Sequence, residues 1–548
     1  MYGASAVEQP RRSWLVAQSI SVAERLARLD PEQRAAATAP PGPILCVAPA
    51  GSGKTSTLVA RIAWLVDTGV DPGTITALTF NRRAAEELTE RLEAAMPEHD
   101  GGAKVRVRTF HALGLEILRE AGEAVTPLLD REAVLRELIP RISMSALRRL
   151  DTIISRFKLN FMVSPDEVAA DPDAGPTATA FVAYERAIAD SGGLDFDDLV
   201  ARAVRRLETD ATVLATWRAR AVHLLVDEAQ DLDRMQLRMA IALASPDHRI
   251  FLVGDDDQSI YGWRLADVRR LLTLAETSLP GLRRHDLATN YRCPGPVVER
   301  AVRLVAHNRE RFDKSIRART RAPGSLILAP TQADPADACE ALIRSWPTDD
   351  STRAILARTN RELLPAVAAC LTLGVPFRAR DLELPLEAAD LDTLLDAATE
   401  DREIPLVARA ARLRDASRGE ARAIASALLD WAPAFPDPDS FRDAVTSARE
   451  RLAGLRRDDA ALSLATVHGT KGLEFDHVAV IGLDAGRFPS ARSIEDAEDP
   501  ERALEEERRL AYVAWTRARR TLSLSYDPAA PSPFLLEAFD ERELRGVA

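Results

Sequence analysis

Short apolar runs that end in a polar or glycine-rich turn and then continue as a helical pattern recur along this chain. That alternation constrains the fold more than any other feature. PILCVAPAGSGKTSTLVARIAWLV (43–66) reads as strand, loop and helix, and ITALTFNRRAAEELTERLEAA (75–95) repeats the pattern. So do VHLLVDEAQDLDRMQLRMAIAL (222–243) and RIFLVGDDDQSIYGWR (249–264), followed later by SLILAPTQ (325–332), RAILARTNRELLPAVAACLTLG (353–374) and HVAVIGLDAG (477–486). Wholly apolar strands separated by helices are buried on both faces, which is the condition of a parallel sheet covered by helices. The runs fall into two groups, before and after residue 285, so the expected fold is α/β with two parallel-sheet domains.

At 548 residues the chain exceeds what one core serves, in keeping with two large domains. Between the strand-rich stretches the pattern turns helical and charged, giving an expected order along the chain. Residues 1–112 and 191–285 make the first α/β domain, with 113–190 a helical insertion. Residues 286–380 and 460–548 make the second, with 381–459 a short helical insertion. No run of eighteen apolar residues is present, and the N-terminal stretch has too short an apolar run for a secretory signal, so a cytoplasmic location without a membrane is expected. Cys46, Cys293, Cys339 and Cys370 show no metal-ligand or disulfide spacing and read as reduced thiols.

A net charge of −12 disfavours nucleic-acid binding over the whole surface but not within a cleft. The basic runs RISMSALRRLDTIISRFK (141–158) and RERFDKSIRARTR (309–321) read as solvated helix faces in preference to DNA contacts. Lysine occurs only at 54, 104, 158, 314 and 471 in a chain with 72 Lys and Arg together. Lys54 and Lys471 lie in glycine-containing segments, where a compact point charge fits between phosphates better than a guanidinium.

APAGSGKT (48–55), set between a strand and a helix, has the character of a phosphate loop. Backbone amides of Ala50, Gly51, Ser52 and Gly53 turn towards phosphate oxygens, and Lys54, Thr55 and Ser56 open the helix whose positive end faces them. Lys54 would reach the β- and γ-phosphates of ATP, and Thr55 would ligate Mg²⁺. LLVDE (224–228) adds the matching carboxylates: Asp227 to hold the metal through water, Glu228 to position and deprotonate the attacking water. Arg292 and Arg517 are the candidates for positive charge at the γ-phosphate.

These segments stand in the order found in UvrD/Rep helicases of superfamily 1. The segments are LDPEQRAA (29–36), APAGSGKT, ALTFNRRAAEEL (77–88), VRTFHALG (107–114), LDFDDL (194–199), VDEAQDLD (226–233), VGDDDQSIYGWR (253–264), NYR (290–292), TVHGTKGLEF (466–475) and EERRLAYVAWTRA (506–518). The chain resembles that family over nearly its whole length, departing in Ala48, where the loop usually begins with Gly. The resemblance implies two RecA-like motor domains with ATP between them. It implies that Gln33 reads the adenine edge, Tyr291 stacks on the base and Glu474 meets the ribose, while Gln258 senses the γ-phosphate. On the DNA side it implies Phe80, Phe110, His111, Tyr261, Trp263 and His468 against bases or lining the channel, and Asn81 and Arg264 on the backbone; core packing is the other reading of the phenylalanines.

The implied activity is an ATP-dependent helicase or translocase on single-stranded and tailed duplex DNA, moving 3′ to 5′ in repair or replication restart. It would act as a monomer or weak dimer, with a repair protein as loading partner. GVPFRARDLELPLEAADLDTLL (374–395) lacks the Gly-Gly and paired-Phe features that precede the longer insertion of larger relatives. That keeps open a translocase that strips proteins without unwinding alone. An inactive ATP-binding scaffold would need a broken catalytic set, and Lys54, Asp227, Glu228, Gln258, Arg292 and Arg517 are all present.

Overall fold

The computed structural model describes residues 21–96, 104–161, 163–170, 175–319, 324–400 and 403–544, so the N-terminal segment considered for a signal and the end of the 309–321 basic run lie outside the described residues. Two six-stranded sheets organise the rest. The first holds β1 (Ile44–Val47), β2 (Ile75–Thr79), β3 (Arg106–Thr109), β4 (His223–Val226), β5 (Ile250–Gly254) and β6 (Arg283–Asp286), in the order β3-β2-β4-β5-β1-β6. A parallel pair, β7 (Thr289–Asn290) and β8 (Arg317–Ala318), follows. The second sheet holds β9 (Ser325–Pro330), β10 (Arg353–Ala357), β11 (Phe377–Arg378), β12 (Leu462–Thr466), β13 (Phe475–Val480) and β14 (Ala518–Tyr526), in the order β11-β12-β10-β13-β14-β9.

Every neighbouring pair in both sheets is parallel. The reason lies in the sequence: β1, β2, β4 and β5 are buried at every residue, so both faces need helical cover. Two parallel sheets, each covered by helices, are the architecture that the family resemblance implies. In the first, β5 lies between β4 and β1, and the loops leaving all three emerge at the carboxyl edge of the sheet, where open α/β sheets place ligands.

Helices at Arg131–Leu138, Met144–Ser155 and Pro176–Asp190 close a separate core around Leu135, Ile154, Phe181 and Tyr184. Helices at Phe110–Glu120 and Asp198–Thr209 belong instead to the core of the first sheet. In the second half, Leu391–Thr399, Leu406–Ala416, Gly419–Trp431 and Pro438–Leu455 bundle around Leu391, Ile424 and Phe441. No helix among the described residues is long and apolar enough to cross a membrane.

The two basic runs are corrected by their partners. Lys158 is buried against Glu185 (2.8 Å), Asp195 (2.9 Å) and Asp198 (3.0 Å), and Lys314 is buried against Asp255, Asp256 and Asp257. Arg311 forks onto Asp257 at 3.0 and 2.8 Å. A buried cation persists only with such partners, so at these residues the runs are internal ion clusters, neither solvated faces nor DNA contacts.

Candidate nucleotide cleft and aromatic face

The loop 48–53 leaves the buried end of β1 and turns into the helix Lys54–Asp67. Gly51 (φ +68°) and Gly53 (φ +84°) take left-handed conformations. A Cβ on Gly53 would stand 2.5 Å from Gln33 Nε2, and one on Gly51 would stand 2.7 Å from Arg292 Cβ, so neighbours close in on both sides. Gln33 Nε2 donates to the Ser52 carbonyl at 2.8 Å, and Asn290 Nδ2 donates to the Ala50 carbonyl at 2.7 Å. Thr55 is half-buried in the first helical turn and Ser56 is exposed beside it.

Lys54 Nζ is buried without a hydrogen-bond partner, 3.7 Å from Glu228 Oε2, and Ser52 Oγ is likewise buried and unpartnered. An ammonium taken from water with no acceptor is costly. Phosphate oxygens are the acceptors that this loop lacks, so the residues present fit a nucleotide polyphosphate.

Asp227 and Glu228 follow directly on β4, and Glu228 adopts φ +52°. Burial, then the adjacent Glu228 charge, pushes the Asp227 carboxyl up to about 7. Burial works the same way on Glu228, but Lys54, Lys471 and the Gln230 amide outweigh it and hold that carboxyl at about 2. Gln230 Nε2 donates to Glu228 Oε2 at 2.6 Å, while its Oε1 accepts from the Asp255 amide at 3.0 Å, tying the β4 acids to the β5 loop.

The second motor closes the cleft. Arg517 Nη2 donates to Gln258 Oε1 at 3.1 Å, and Gln258 Nε2 donates to Asp255 Oδ2 at 2.7 Å. Lys471 Nζ reaches Asp231 Oδ2 at 2.5 Å and the Gln258 carbonyl at 2.6 Å, and lies 4.8 Å from the Tyr261 ring centre. In this structure Lys471 is therefore an interdomain tie. Arg292 Nε donates to Glu474 Oε2 at 2.7 Å, which joins the residue expected at phosphate to the one expected at ribose. Tyr291 Oη donates to Asp30 Oδ2 at 2.5 Å, and Asp30 Oδ1 caps Gln33 N at 2.7 Å, so the two residues expected at the base share one carboxylate. Asn290 and Asp30 were not singled out in the sequence; their signal was their place inside the NYR and LDPEQ segments.

A second face carries aromatic rings. Phe80 stacks on Tyr261 (5.2 Å, 8°), and Tyr261 meets Trp263 edge-on at 6.1 Å. Trp263 is 55% exposed, with the Arg264 guanidinium 4.6 Å from its ring. Asn81 is exposed, and its Oδ1 caps the following helix at Ala84 N (2.9 Å). His111 stacks on Phe196 at 3.9 Å, and burial lowers its pKa to about 4. Phe196, 55% exposed, is a face residue that the sequence reading missed; LDFDDL contains it. Phe110 is a correction: it is 2% exposed in the core of the first sheet and presents no surface to a base. His468 is largely buried in the short turn His468–Thr470, with its pKa lowered to about 4 by burial, Arg358 and Lys471.

Paired parallel sheets, a phosphate loop with its acids, and Arg517 reaching across from the second half to Gln258 define a two-domain nucleotide-driven motor of the helicase class. The UvrD/REP helicase N-terminal domain matches residues 29–278, and the UvrD-like helicase C-terminal domain matches residues 445–528. The chain is 33% identical to the ATP-dependent DNA helicase UvrD2 of Mycobacterium tuberculosis, over 93% of this chain and 80% of the relative. It is 28% identical both to DNA helicase II of Escherichia coli (92% and 85%) and to the ATP-dependent DNA helicase PcrA of Leuconostoc citreum (88% and 80%). The chain belongs to the UvrD/Rep helicase family.

Proposed function

We propose that the chain is an ATP-driven motor that moves 3′ to 5′ along single-stranded DNA and unwinds tailed duplexes, serving repair or replication restart in the cytoplasm. One observation carries this reading: the strip 255–264 joins the cleft to the aromatic face. Its start holds Gln258, bonded to Arg517 of the opposite motor, and its end holds Tyr261 and Trp263. A change in the cleft is therefore transmitted through a few residues to rings suited to stacking on successive bases.

Bound ATP supplies the phosphoryl group that is transferred to water. Lys54 and the loop amides would hold its phosphates, and Thr55 and Asp227 would hold Mg²⁺. Glu228, ionised because Lys54 and Lys471 outweigh its burial, is the base. Arg292 and Arg517 neutralise developing charge, Gln33 and Tyr291 take the base, and Glu474 the ribose. Phe80, His111, Tyr261, Trp263, Phe196 and His468 form the stacking track, with Asn81 and Arg264 on the backbone. The helical insertions near 113–190 and 381–459 flank the motors, and the molecule acts as a monomer or weak dimer loaded by a repair partner.

The short four-helix bundle in the second insertion favours a second reading, a translocase that displaces proteins and unwinds little alone. ATPase rates with and without single-stranded DNA test the motor, and displacement of duplexes with 3′ or 5′ tails tests polarity and separates the two readings. An ATPase indifferent to DNA refutes both.

A further inference from the structure

Three consecutive glutamates, Glu505, Glu506 and Glu507, lie on the helix Pro500–Trp515 of the second motor, and they have different partners. Glu505 accepts from the backbone amides of Arg309 (2.8 Å) and Glu310 (3.1 Å). Glu507 accepts from Arg358 (2.6–2.9 Å) and from the Ser490 amide (3.0 Å). Both hold the helix within its own half of the molecule. Glu506 crosses to the first motor, where Oε1 accepts the Gly262 amide at 2.9 Å.

Gly262 lies between Tyr261 and Trp263, so this carboxylate grips the backbone between two rings of the aromatic face. The carboxylate sits where a side chain would begin: a Cβ on Gly262 would lie 2.9 Å from Glu506 Oε1 and closer still to Oε2, so an added methyl displaces it. The same helix leads on to Arg517, which donates to Gln258, so one rigid element holds the strip at two points, Gln258 and Gly262. Glu506 and Trp515 are about 14 Å apart along the axis at 1.5 Å per residue, so a helix moved at its Arg517 end carries its Glu506 end with it.

We infer that Glu506 is a positioning residue that transmits closure of the nucleotide cleft to the base-stacking turn 261–263 through the Gly262 amide. This rests on the motor reading above and adds to it the lever that joins its two sites.

The test is the ratio of ATP turnover with saturating oligo-dT to turnover without it, measured beside oligo-dT affinity and melting temperature. Glu506→Ala should lower the ratio about tenfold, the fold-change of one lost charge-assisted hydrogen bond. Glu506→Gln, which keeps an acceptor, should stay within about threefold of the parent. Gly262→Ala, which pushes the carboxylate away, should resemble Glu506→Ala, and the double variant should be no worse than either single one. The lever is overturned if Glu506→Ala keeps the parental ratio, including the case where all rates and the melting temperature fall together as for a structural residue. It is overturned equally if the effects of Glu506→Ala and Gly262→Ala multiply. Should Glu506→Ala fail to fold, Gly262→Ala reads the same contact from the other side. A parent whose turnover ignores oligo-dT refutes the motor reading and the lever with it, whereas a stimulated parent with an unaffected Glu506→Ala refutes the lever alone.

Discussion

Arg517 of the second motor and Gln258 of the first are joined directly, Nη2 to Oε1 at 3.1 Å, in the buried seam between the two sheets. The rest of the guanidinium is fixed by the Val513 carbonyl (2.9 Å) and the Leu473 carbonyl (3.1 Å). Burial, then the nearby Arg292 charge, lowers its pKa to about 10, so it stays charged at neutral pH. A fork with three fixed acceptors is not replaced by an ammonium. Arg517→Lys should therefore lower ATP turnover by at least about a hundredfold. Turnover near the parental rate in that variant would make Arg517 a brace between domains and remove it from the phosphate site.

Lys54 has no acceptor in the protein, and its neighbour Glu228 at 3.7 Å supplies only charge. Lys54→Ala should abolish ATP turnover, while single-strand binding, which depends on other loops, survives. Fluorescence anisotropy of labelled oligo-dT beside a phosphate-release assay checks this. Loss of both together would mean that Lys54 supports the fold of the loop.

Much of this architecture is legible in the sequence because its signals are local. A phosphate loop needs its glycines and lysine within eight residues, and β1, β2, β4 and β5 announce themselves as unbroken apolar runs. The edge strands β3 (RVRT) and β6 (RRHD) do not, since an edge strand leaves part of its surface outside the core and can carry charge there. The fates of Phe80 and Phe110 also diverge out of sight of the sequence. Both follow strands, yet Phe80 stacks on Tyr261 and Phe110 fills the core, a difference set by the helices packed around them. Lys158 and Lys314 read as members of solvated runs because the acids that bury them come from other segments.

Lys314 faces Asp255 at 2.9 Å and Asp257 at 3.0 Å, with Asp256 in contact, and all four groups are buried. Removing a buried ion's partner leaves uncompensated charge, so Lys314→Met should destabilise the protein by about 3–5 kcal/mol at neutral pH. Arg309→Ala, at an 86% exposed side chain in the same run, should stay within about 0.5 kcal/mol. Urea melts of the two variants decide whether this run is an internal brace; equal midpoints would make it a surface feature.

His223 opens β4 in a buried position, and burial, then Arg249 and Arg61, lowers its pKa from 6.5 to about 4. Between those values the unfolded chain holds a proton that the folded chain excludes. Stability contributed by the neutral ring is therefore complete above 6.5 and is lost as pH falls towards 4. His223→Gln should remove on the order of 1–2 kcal/mol of that acid sensitivity. Urea midpoints at pH 7.5 and 4.5 should differ less in the variant than in the parent; an unchanged difference would place the acid loss on the other histidines that burial shifts downward, His111, His285, His468 and His477.

Trp263 is more than half exposed, touches Tyr261 only edge-on at 6.1 Å and has a guanidinium over its face, so its burial contributes little to the fold. A ring so placed is available to a base, and stacking on one base contributes about 1–3 kcal/mol. Trp263→Ala should weaken oligo-dT binding by roughly one to two decades, at 1.4 kcal/mol per tenfold. Stimulation of ATP turnover by DNA and movement along it should fall together, because both pass through the strip that links Gln258 to this ring. The melting temperature should move by no more than about 2 °C, since a surface side chain away from the core changes stability by about 0.5 kcal/mol or less. A variant that instead melts far below the parent and still responds to oligo-dT in full would show that Trp263 serves packing, and the track would then have to run over Phe80 and Tyr261 without it.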